Sequence, residues 1–427
     1  MSAPSDRLGL LWGITVFAGS LAQLIAQISG LPTVVLLLSA GLLVGRAGFN
    51  LVNPELLGAG LEPIVGLLVS LVLFDGGLNL RLAGRESRQT LVRIVLVRGL
   101  LGLAGGAALA HVLAGLDWPV AVVYGAIVLA TGPTVITPMV QQMRLAAPLA
   151  QVLEAEGLVL EPFGAVLAAL LLELALGELK GWNGLATALA LRFGGGALAG
   201  ALAGWLLAEV LRRLPATGER TGTVRLQVTV GVLFLLFSGL EAVLPEAGLP
   251  AAVAAGVVVG WRLDTEADQL DALIRQLAQL AITMLFPLLA ADVSWGELSP
   301  LGWGGLVCVL ALLPLRWLLV QLAGLGLPLG ASEKLLLSWI APRGIVTAAV
   351  ASLFALRLVE AGVPGASSLK GLVFLTILVT VGLQGFTAPA LARRLALVDP
   401  EPEAVSPTES SEAAPQPGDV LANGAQQ

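Results

Sequence analysis

The chain has 427 residues, of which 57% are hydrophobic and only 12% are charged, and its mean hydropathy is +0.91. This composition excludes an ordinary water-soluble globular protein, in which about a quarter of the residues are charged. The formal net charge of −6 is spread over short loops and a polar C-terminal stretch, so we expect no nucleic-acid partner. Neither a nucleophile and base pair nor a metal-ligand spacing is visible, so we expect neither enzymatic activity nor a cofactor. The sequence predicts a polytopic membrane protein.

Apolar runs of the length that a bilayer-spanning helix needs, roughly 20 residues, follow one another along the chain. The first run begins near Leu8 after a short charged stretch, and we interpret it as a retained helix rather than a signal peptide. We therefore predict an all-α fold with about 13 transmembrane helices. The runs lie at 8–28, 31–47, 63–81, 94–116, 119–142, 150–177, 184–211, 225–243, 249–262, 274–291, 301–325, 332–357 and 368–392. The run at 249–262 is short and could be tilted or partly interfacial.

Lys and Arg are distributed unequally between the loops on the two sides of the membrane. The basic loops follow the third, fifth and seventh runs, at Arg81, Arg85, Arg88, Arg93, Arg144, Arg212, Arg213 and Arg220. Because basic loops stay in the cytoplasm, we predict a cytoplasmic C-terminus, an outside N-terminus and insertion into the cell (inner) membrane. The last residues, 399–427, are rich in Pro, Glu, Ser and Gln, and we expect them to form a disordered cytoplasmic tail.

The fifth run contains a predicted helix break, and the sixth run carries acidic residues at membrane depth. Pro133 cannot donate a backbone hydrogen bond and disfavours helix at Gly132, so carbonyls one turn earlier lose their donors. Glu154 and Glu161 are seven residues apart and lie nearly on one face of the helix, whereas Glu156 points about 140° away from Glu161. Ionisable residues inside apolar spans are costly and are therefore functional candidates.

The twelfth run is also interrupted, at Pro342-Arg343-Gly344. An arginine at this depth stays protonated and needs a carboxylate partner. Three other arginines within apolar runs, Arg98, Arg192 and Arg316, are as able to snorkel or cap helix ends as to bind a partner. If the first and last six helices form inverted repeats, the fifth and twelfth runs correspond, and paired interrupted helices are typical of the ion site of a secondary transporter. A Pro/Gly kink can also reflect helix packing alone.

Four motifs, in the same order along the chain, resemble those of the monovalent cation:proton antiporter superfamily, in particular its thirteen-helix sodium/proton exchanger branch. Phe74-Asp75-Gly76-Gly77-Leu78 is similar to the family's Phe-Glu-Gly-Gly-Leu, and Thr131-Gly132-Pro133 is similar to its Thr-Asp-Pro. The stretch from Glu154 to Glu161 is similar to Glu-Gly-Glu-Ser-Leu-Leu-Asn-Asp, and Arg343-Gly344 to Arg-Gly. The resemblance extends from about Leu8 to Leu397.

The resemblance implies a transmembrane antiporter domain over residues 1–398, with two inverted six-helix repeats and two crossing broken helices. It implies a core domain, near 63–178 and 274–396, that moves in an elevator-like way against a dimerisation domain, near 8–47 and 184–262. The expected partners are a monovalent cation, the proton, the lipid bilayer and a second copy of the chain in a homodimer.

The resemblance also assigns roles to individual residues. Glu161 is expected to carry either the cation or the proton, and Arg343 is expected to form a structural ion pair with Glu156. The remaining expected site residues are Thr131, Gly132 and Thr134 around the cation, with Asp75, Glu154, Pro133 and Pro342 in support. Since a single carboxylate exchanges its proton for a cation, we expect electroneutral exchange.

This sequence departs from the family pattern at the ion site. Gly132, Gly157, Leu160 and Glu161 stand where the family has Asp, Ser, Asn and Asp, so three side-chain ligands are missing. Hard alkali cations need several oxygen ligands, and the site therefore leaves Na⁺, K⁺ and Li⁺ open as substrates. A potassium-efflux antiporter and a non-transporting sensor or scaffold are the alternatives. A channel is disfavoured because no selectivity-filter repeat is visible.

Overall fold

The computed structural model of the protein describes residues 4–80, 84–214, 219–263 and 268–398. Within these ranges every element longer than a single bridge is helical, and the one isolated antiparallel bridge joins Leu145 to Val398. The all-α prediction is therefore confirmed. The expected cytoplasmic tail at 399–427 lies outside the described residues.

Eighteen α-helices are found in the described ranges. They are α1 Pro4–Ser29, α2 Thr33–Val44, α3 Leu61–Leu78, α4 Gly84–Val97, α5 Leu103–Ala114, α6 Trp118–Leu129, α7 Pro133–Met143, α8 Ala147–Ala175, α9 Gly181–Leu189, α10 Gly196–Arg213, α11 Glu219–Val243, α12 Gly248–Leu263, α13 Asp268–Ala290, α14 Trp295–Leu298, α15 Gly302–Ala323, α16 Ala331–Trp339, α17 Ile345–Glu360 and α18 Ala366–Arg394. The π-helical segments Arg98–Gly102 and Ala190–Gly195 join α4 to α5 and α9 to α10.

Every predicted apolar run contains a helix or a pair of half-helices. Ten helical stretches in the described part of the chain are long and apolar enough to cross a membrane, and Thr33–Val44 and Gly248–Leu263 are shorter apolar helices. The count of 13 crossings stays a prediction. The short run at 249–262 forms α12, which packs through small residues against α3 and α10.

Both predicted helix breaks are present. The first separates α6 from α7, which begins at Pro133, and the second separates α16 from α17. Proline at the first position of a helix needs no hydrogen-bond donor, so Pro133 starts a new helix where it would have disrupted a continuous one. Each broken span therefore consists of two half-helices with a short non-helical segment between them.

The helices pack into two groups. One group contains α1 to α3 and α10 to α13, and the other contains α4 to α8 and α15 to α18, with fewer contacts between the groups than within them. α3 and α13, which lie inside the ranges expected for the core domain, pack mainly with helices of the first group, and the division into domains stays a prediction. Gly77 of α3 and Gly256 of α12 allow close backbone approach between these two helices.

Candidate functional site

The two non-helical segments cross in the interior of the helix bundle. The Gly132 N–H donates a hydrogen bond of 3.1 Å to the Pro342 carbonyl. An ideal Cβ placed on Gly132 would lie 2.3 Å from the Gly344 Cα, which is closer than any real side chain approaches a backbone atom. Both glycines have negative φ angles, so the crossing requires them for close approach and not for an unusual backbone conformation.

Glu161 of α8 lies at this crossing and has no exposed surface. A Cβ on Gly344 would lie 2.6 Å from Glu161 Oε1 and 3.1 Å from Thr134 Oγ1, so both side chains border the second break. One turn before Glu161, Gly157 brings α8 against the first break, where a Cβ would lie 3.2 Å from the Thr131 carbonyl oxygen. The structure thus brings together Glu161, the predicted threonines and both breaks.

Several buried oxygens at the crossing have no hydrogen-bond partner among the described residues. They are both carboxylate oxygens of Glu161 and the hydroxyl oxygens of Thr131, Thr134 and Thr347. Buried polar atoms are normally paired, so such a group of oxygens fits a bound species that supplies positive charge. Half-helices α6 and α16 also end here, and their last carbonyls have no donor within the helix. Oxygen ligands of this kind suit a hard alkali cation.

Thr347 is a candidate residue that the sequence reasoning missed. It lies in the first turn of α17, three residues after Gly344, and it is buried. The available signal was its position just after the second break, which parallels that of Thr134 just after the first.

The predicted ion pair between Glu156 and Arg343 is wrong. In the described residues, Glu156 instead pairs with Arg98 and Arg316, all three being buried. Arg316 binds both carboxylate oxygens, with Nη1 to Oε1 at 2.9 Å and Nη2 to Oε2 at 3.1 Å. The Arg343 Nη1 donates at 3.0 Å to the Ala341 carbonyl of its own break. Glu156 does face away from Glu161 as expected, but the arginines that meet it there come from other helices.

Both arginines that bind Glu156 also bind the carbonyl ends of half-helices. Arg98 Nη2 donates at 2.9 Å to the Leu129 carbonyl at the end of α6. Arg316 Nη2 donates at 2.8 Å to the Leu337 carbonyl and at 2.7 Å to the Ile340 carbonyl, where α16 ends. A cation at a helix C-terminus satisfies free carbonyls and interacts favourably with the helix dipole. We call Glu156, Arg98 and Arg316 the arginine clamp, since together they connect α8 to both broken spans.

Asp75 and Glu154 are not part of the crossing. Asp75 lies near the end of α3 and Glu154 in the second turn of α8, both are half-buried, and they are within Coulombic range of each other. The Asn79 side-chain amide donates to Asp75 Oδ1 at 3.2 Å, and Arg275 donates to Asn79 Oδ1 at 2.9 Å and to Asp271 Oδ2 at 2.7 Å. These residues form an acidic group at the end of the bundle where α3 ends and α8 begins.

Comparisons with known proteins agree with this geometry. A family model described as "Sodium/hydrogen exchanger, transmembrane" matches residues 13–394. The Na(+)/H(+) antiporter 1 of Methanocaldococcus jannaschii is 27% identical over 412 residues, which cover 90% of this chain and 94% of the relative. A solved structure of the sodium proton antiporter MjNhaP1 from that organism at pH 8 matches with a TM-score of 0.77 and 25% identity, over 92% of this chain and 99% of that one.

An electron-microscopy map of MjNhaP1 matches with a TM-score of 0.78 and 24% identity, over 94% of this chain and all of that one. The resemblance inferred from the four motifs is confirmed, and so is an integral membrane protein of this fold. Because the family model covers most of the sequence, the chain belongs to the sodium/hydrogen exchanger family.

Proposed function

We propose that the protein exchanges a monovalent cation, Na⁺ or K⁺, for protons across the membrane, and that Glu161 carries the two in turn. The observation that carries this proposal is a fully buried carboxylate, with both oxygens unpartnered among the described residues, at the crossing of two broken helices. Membership of the exchanger family and the antiport activity named for the relatives support the same reading.

Coupling follows from the cost of burying charge. An ionised carboxylate in an apolar interior is strongly disfavoured unless a partner neutralises it. At Glu161 the neutralising species is either a proton or a cation, and the two cannot occupy the same carboxylate together. Loading the cation therefore releases the proton, and an empty ionised carrier crosses poorly. With one exchanging carboxylate, each cycle moves one cation against one proton and no net charge.

The hydroxyls of Thr131, Thr134 and Thr347 and the backbone carbonyl of Thr131 supply the remaining oxygens in this proposal. The structure gives a physical reason for the missing acid at Gly132, because the backbone of Gly344 occupies the space of any side chain there. With fewer charged ligands, the site favours a cation that keeps part of its hydration or is larger than Na⁺, which keeps K⁺ as a candidate substrate.

For alternating access, we propose that the group containing α4 to α8 and α15 to α18 moves against the other group. The two groups are linked by ion pairs at one end of the bundle. Asp292 bonds Lys370 of α18 at 2.9 Å and lies 3.6 Å from Arg46, which follows α2. Ser352 of α17 donates to the same carboxylate at 3.2 Å. This network would have to break when the groups slide.

The arrangement in the membrane is part of the same proposal. The basic loops favour a cytoplasmic C-terminus, an outside N-terminus and location in the cell membrane. Formation of a homodimer rests on the family resemblance alone.

The test is proton flux in liposomes that contain the purified protein and a pH-sensitive dye, with Na⁺, K⁺ and Li⁺ added in turn. We expect Glu161→Gln to abolish cation-dependent flux, because the amide keeps the shape but cannot exchange a proton. Glu161→Asp is the matched control and should keep measurable flux. Flux near the wild-type rate in Glu161→Gln would remove Glu161 from the mechanism, and no flux with any cation in the wild type would indicate a non-transporting protein.

A further inference from the structure

A single face of α8 connects the acidic group to the crossing. Glu154, Leu158 and Glu161 follow one another at the spacing i, i+4 and i+7, which places them on one face of a helix. Glu154 is half-buried, whereas Leu158 is 2% exposed and Glu161 has no exposed surface. The direct route from Glu154 to Glu161 along α8 therefore passes the side chain of Leu158.

Leu158 is in tight contact with a glycine of α3. An ideal Cβ on Gly76 would lie 2.7 Å from Leu158 Cδ2 and 3.4 Å from Cδ1, so the leucine tip occupies the space beside that glycine. Gly76 directly follows Asp75 in the chain. The contact thus has the carboxylates of Asp75 and Glu154 on one side and the carboxylate of Glu161 on the other.

The contact also lies between the two helix groups. α3 packs mainly with α12 and α13, whereas α8 packs mainly with α4, α6 and α7. The contact between Leu158 and Gly76 joins apolar atoms, so separating these two residues does not itself break a hydrogen bond. An apolar side chain that closes a narrow route excludes water and ions until it moves away, as hydrophobic constrictions do in other membrane pathways.

We propose that Leu158, seated on Gly76, is the gate between an acidic entrance formed by Asp75 and Glu154 and the carrier carboxylate Glu161. The two acids attract cations to the entrance, and the leucine separates them from Glu161 until the helix groups move. This inference rests on the proposed exchange function, to which it adds a route and a gating residue.

The test is chemical labelling of carboxylates in the full-length protein in lipid nanodiscs without added Na⁺ or K⁺. A water-soluble carbodiimide with an amine nucleophile modifies the carboxylates that water reaches, and peptide mass spectrometry gives the labelling of Glu161 relative to that of Glu154. In Leu158→Ala we expect this ratio to rise at least about tenfold, since a loss of about 1.4 kcal/mol in the closed state changes the open fraction tenfold.

The matched control is Leu153→Ala on the same helix. Leu153 has no exposed surface and packs in a different apolar cluster, with Ile94, Leu336 and Leu337. The control loses the same atoms from the same helix and should leave the labelling ratio unchanged. An equal rise in both variants would mean that any cavity in α8 admits the reagent, and it would overturn the gate.

A second variant tests the gate without removing the leucine. Gly76→Ala adds a methyl group 2.7 Å from the flexible leucine tip, which is too close for both to stay in place. We expect the leucine to be displaced from its seat, so the labelling ratio should rise as it does in Leu158→Ala. An unchanged ratio in both Leu158→Ala and Gly76→Ala would overturn the proposal. Labelling does not depend on transport, so this failure is distinct from failure of Glu161→Gln to stop exchange.

Discussion

The arginine clamp predicts an unequal response to the removal of its three charges. Glu156 neutralises part of the charge of two buried arginines, and Glu156→Gln leaves both without a carboxylate. Removing one partner of a buried ion pair costs about 3–5 kcal/mol. Arg316→Gln leaves Glu156 paired with Arg98, and its main cost is the loss of donors to the Leu337 and Ile340 carbonyls, about 1–3 kcal/mol for each carbonyl left unsatisfied.

Double variants distinguish an arginine that is paired with Glu156 from one that is not. Glu156→Gln with Arg316→Gln leaves one uncompensated arginine instead of two, so it should melt no lower than Glu156→Gln alone despite the additional substitution. Arg343 bonds the Ala341 carbonyl and not Glu156, so Glu156→Gln with Arg343→Gln should show losses close to the sum of the two single variants.

The measurement is the melting temperature of each variant in mild detergent, followed by the helical circular dichroism signal. Glu161→Gln is a useful reference for these melts, because it removes a buried carboxylate that has no ion-pair partner among the described residues. Purely additive losses for Glu156 and Arg316, together with strong coupling between Glu156 and Arg343, would refute the clamp.

Three further predictions address the crossing, the charge balance and the link between the helix groups. Gly132→Ala should abolish transport and lower the melting temperature, because its methyl group would lie 2.3 Å from the Gly344 backbone; wild-type flux in this variant would show that the crossing tolerates a side chain. Na⁺-driven exchange should not change with a potential imposed by potassium and valinomycin, and a steep dependence would require a second titrating group that moves with the ion. Lys370→Met should remove the bond to Asp292 and change the exchange rate without changing which cation is used, and an altered cation preference would place this network in the ion site.

The sequence was sufficient to predict the helices and both breaks, because each depends on local chemistry, whereas the carrier role of Glu161 comes from the family resemblance and stays a prediction. Apolar runs define membrane helices, Pro133 and Pro342 interrupt them, and periodicity places Glu156 and Glu161 on different faces. What surrounds each face depends on how distant helices pack, which hydropathy does not report. Arg98 and Arg316 were therefore not recognised as the partners of Glu156, although Arg316 lies far from either end of its apolar run.

Gly132 illustrates the same limit from the opposite direction. In the sequence, Gly132 stands where the family pattern has an aspartate, which predicts an ion site that lacks one ligand. The structure shows that it is also a packing residue, because the second break approaches to within contact distance of its Cα. A difference in one residue type is local information, whereas the space available at that residue is a property of two chain segments more than 200 positions apart.

The arginine clamp has a consequence for biosynthesis, in which the helices enter the membrane in sequence order. Arg98 and Glu156 are 58 residues apart in the chain, whereas Arg316 is 160 residues beyond Glu156. Before the second half of the protein has been made, the first half can therefore pair its buried Arg98 with Glu156. Arg98 can also already donate a hydrogen bond to the Leu129 carbonyl at the end of α6. Because Arg98 and Glu156 are already paired, the half-chain intermediate does not expose an uncompensated charge to lipid. Arg316 is made later and binds the same carboxylate, which joins the second half of the protein to the first.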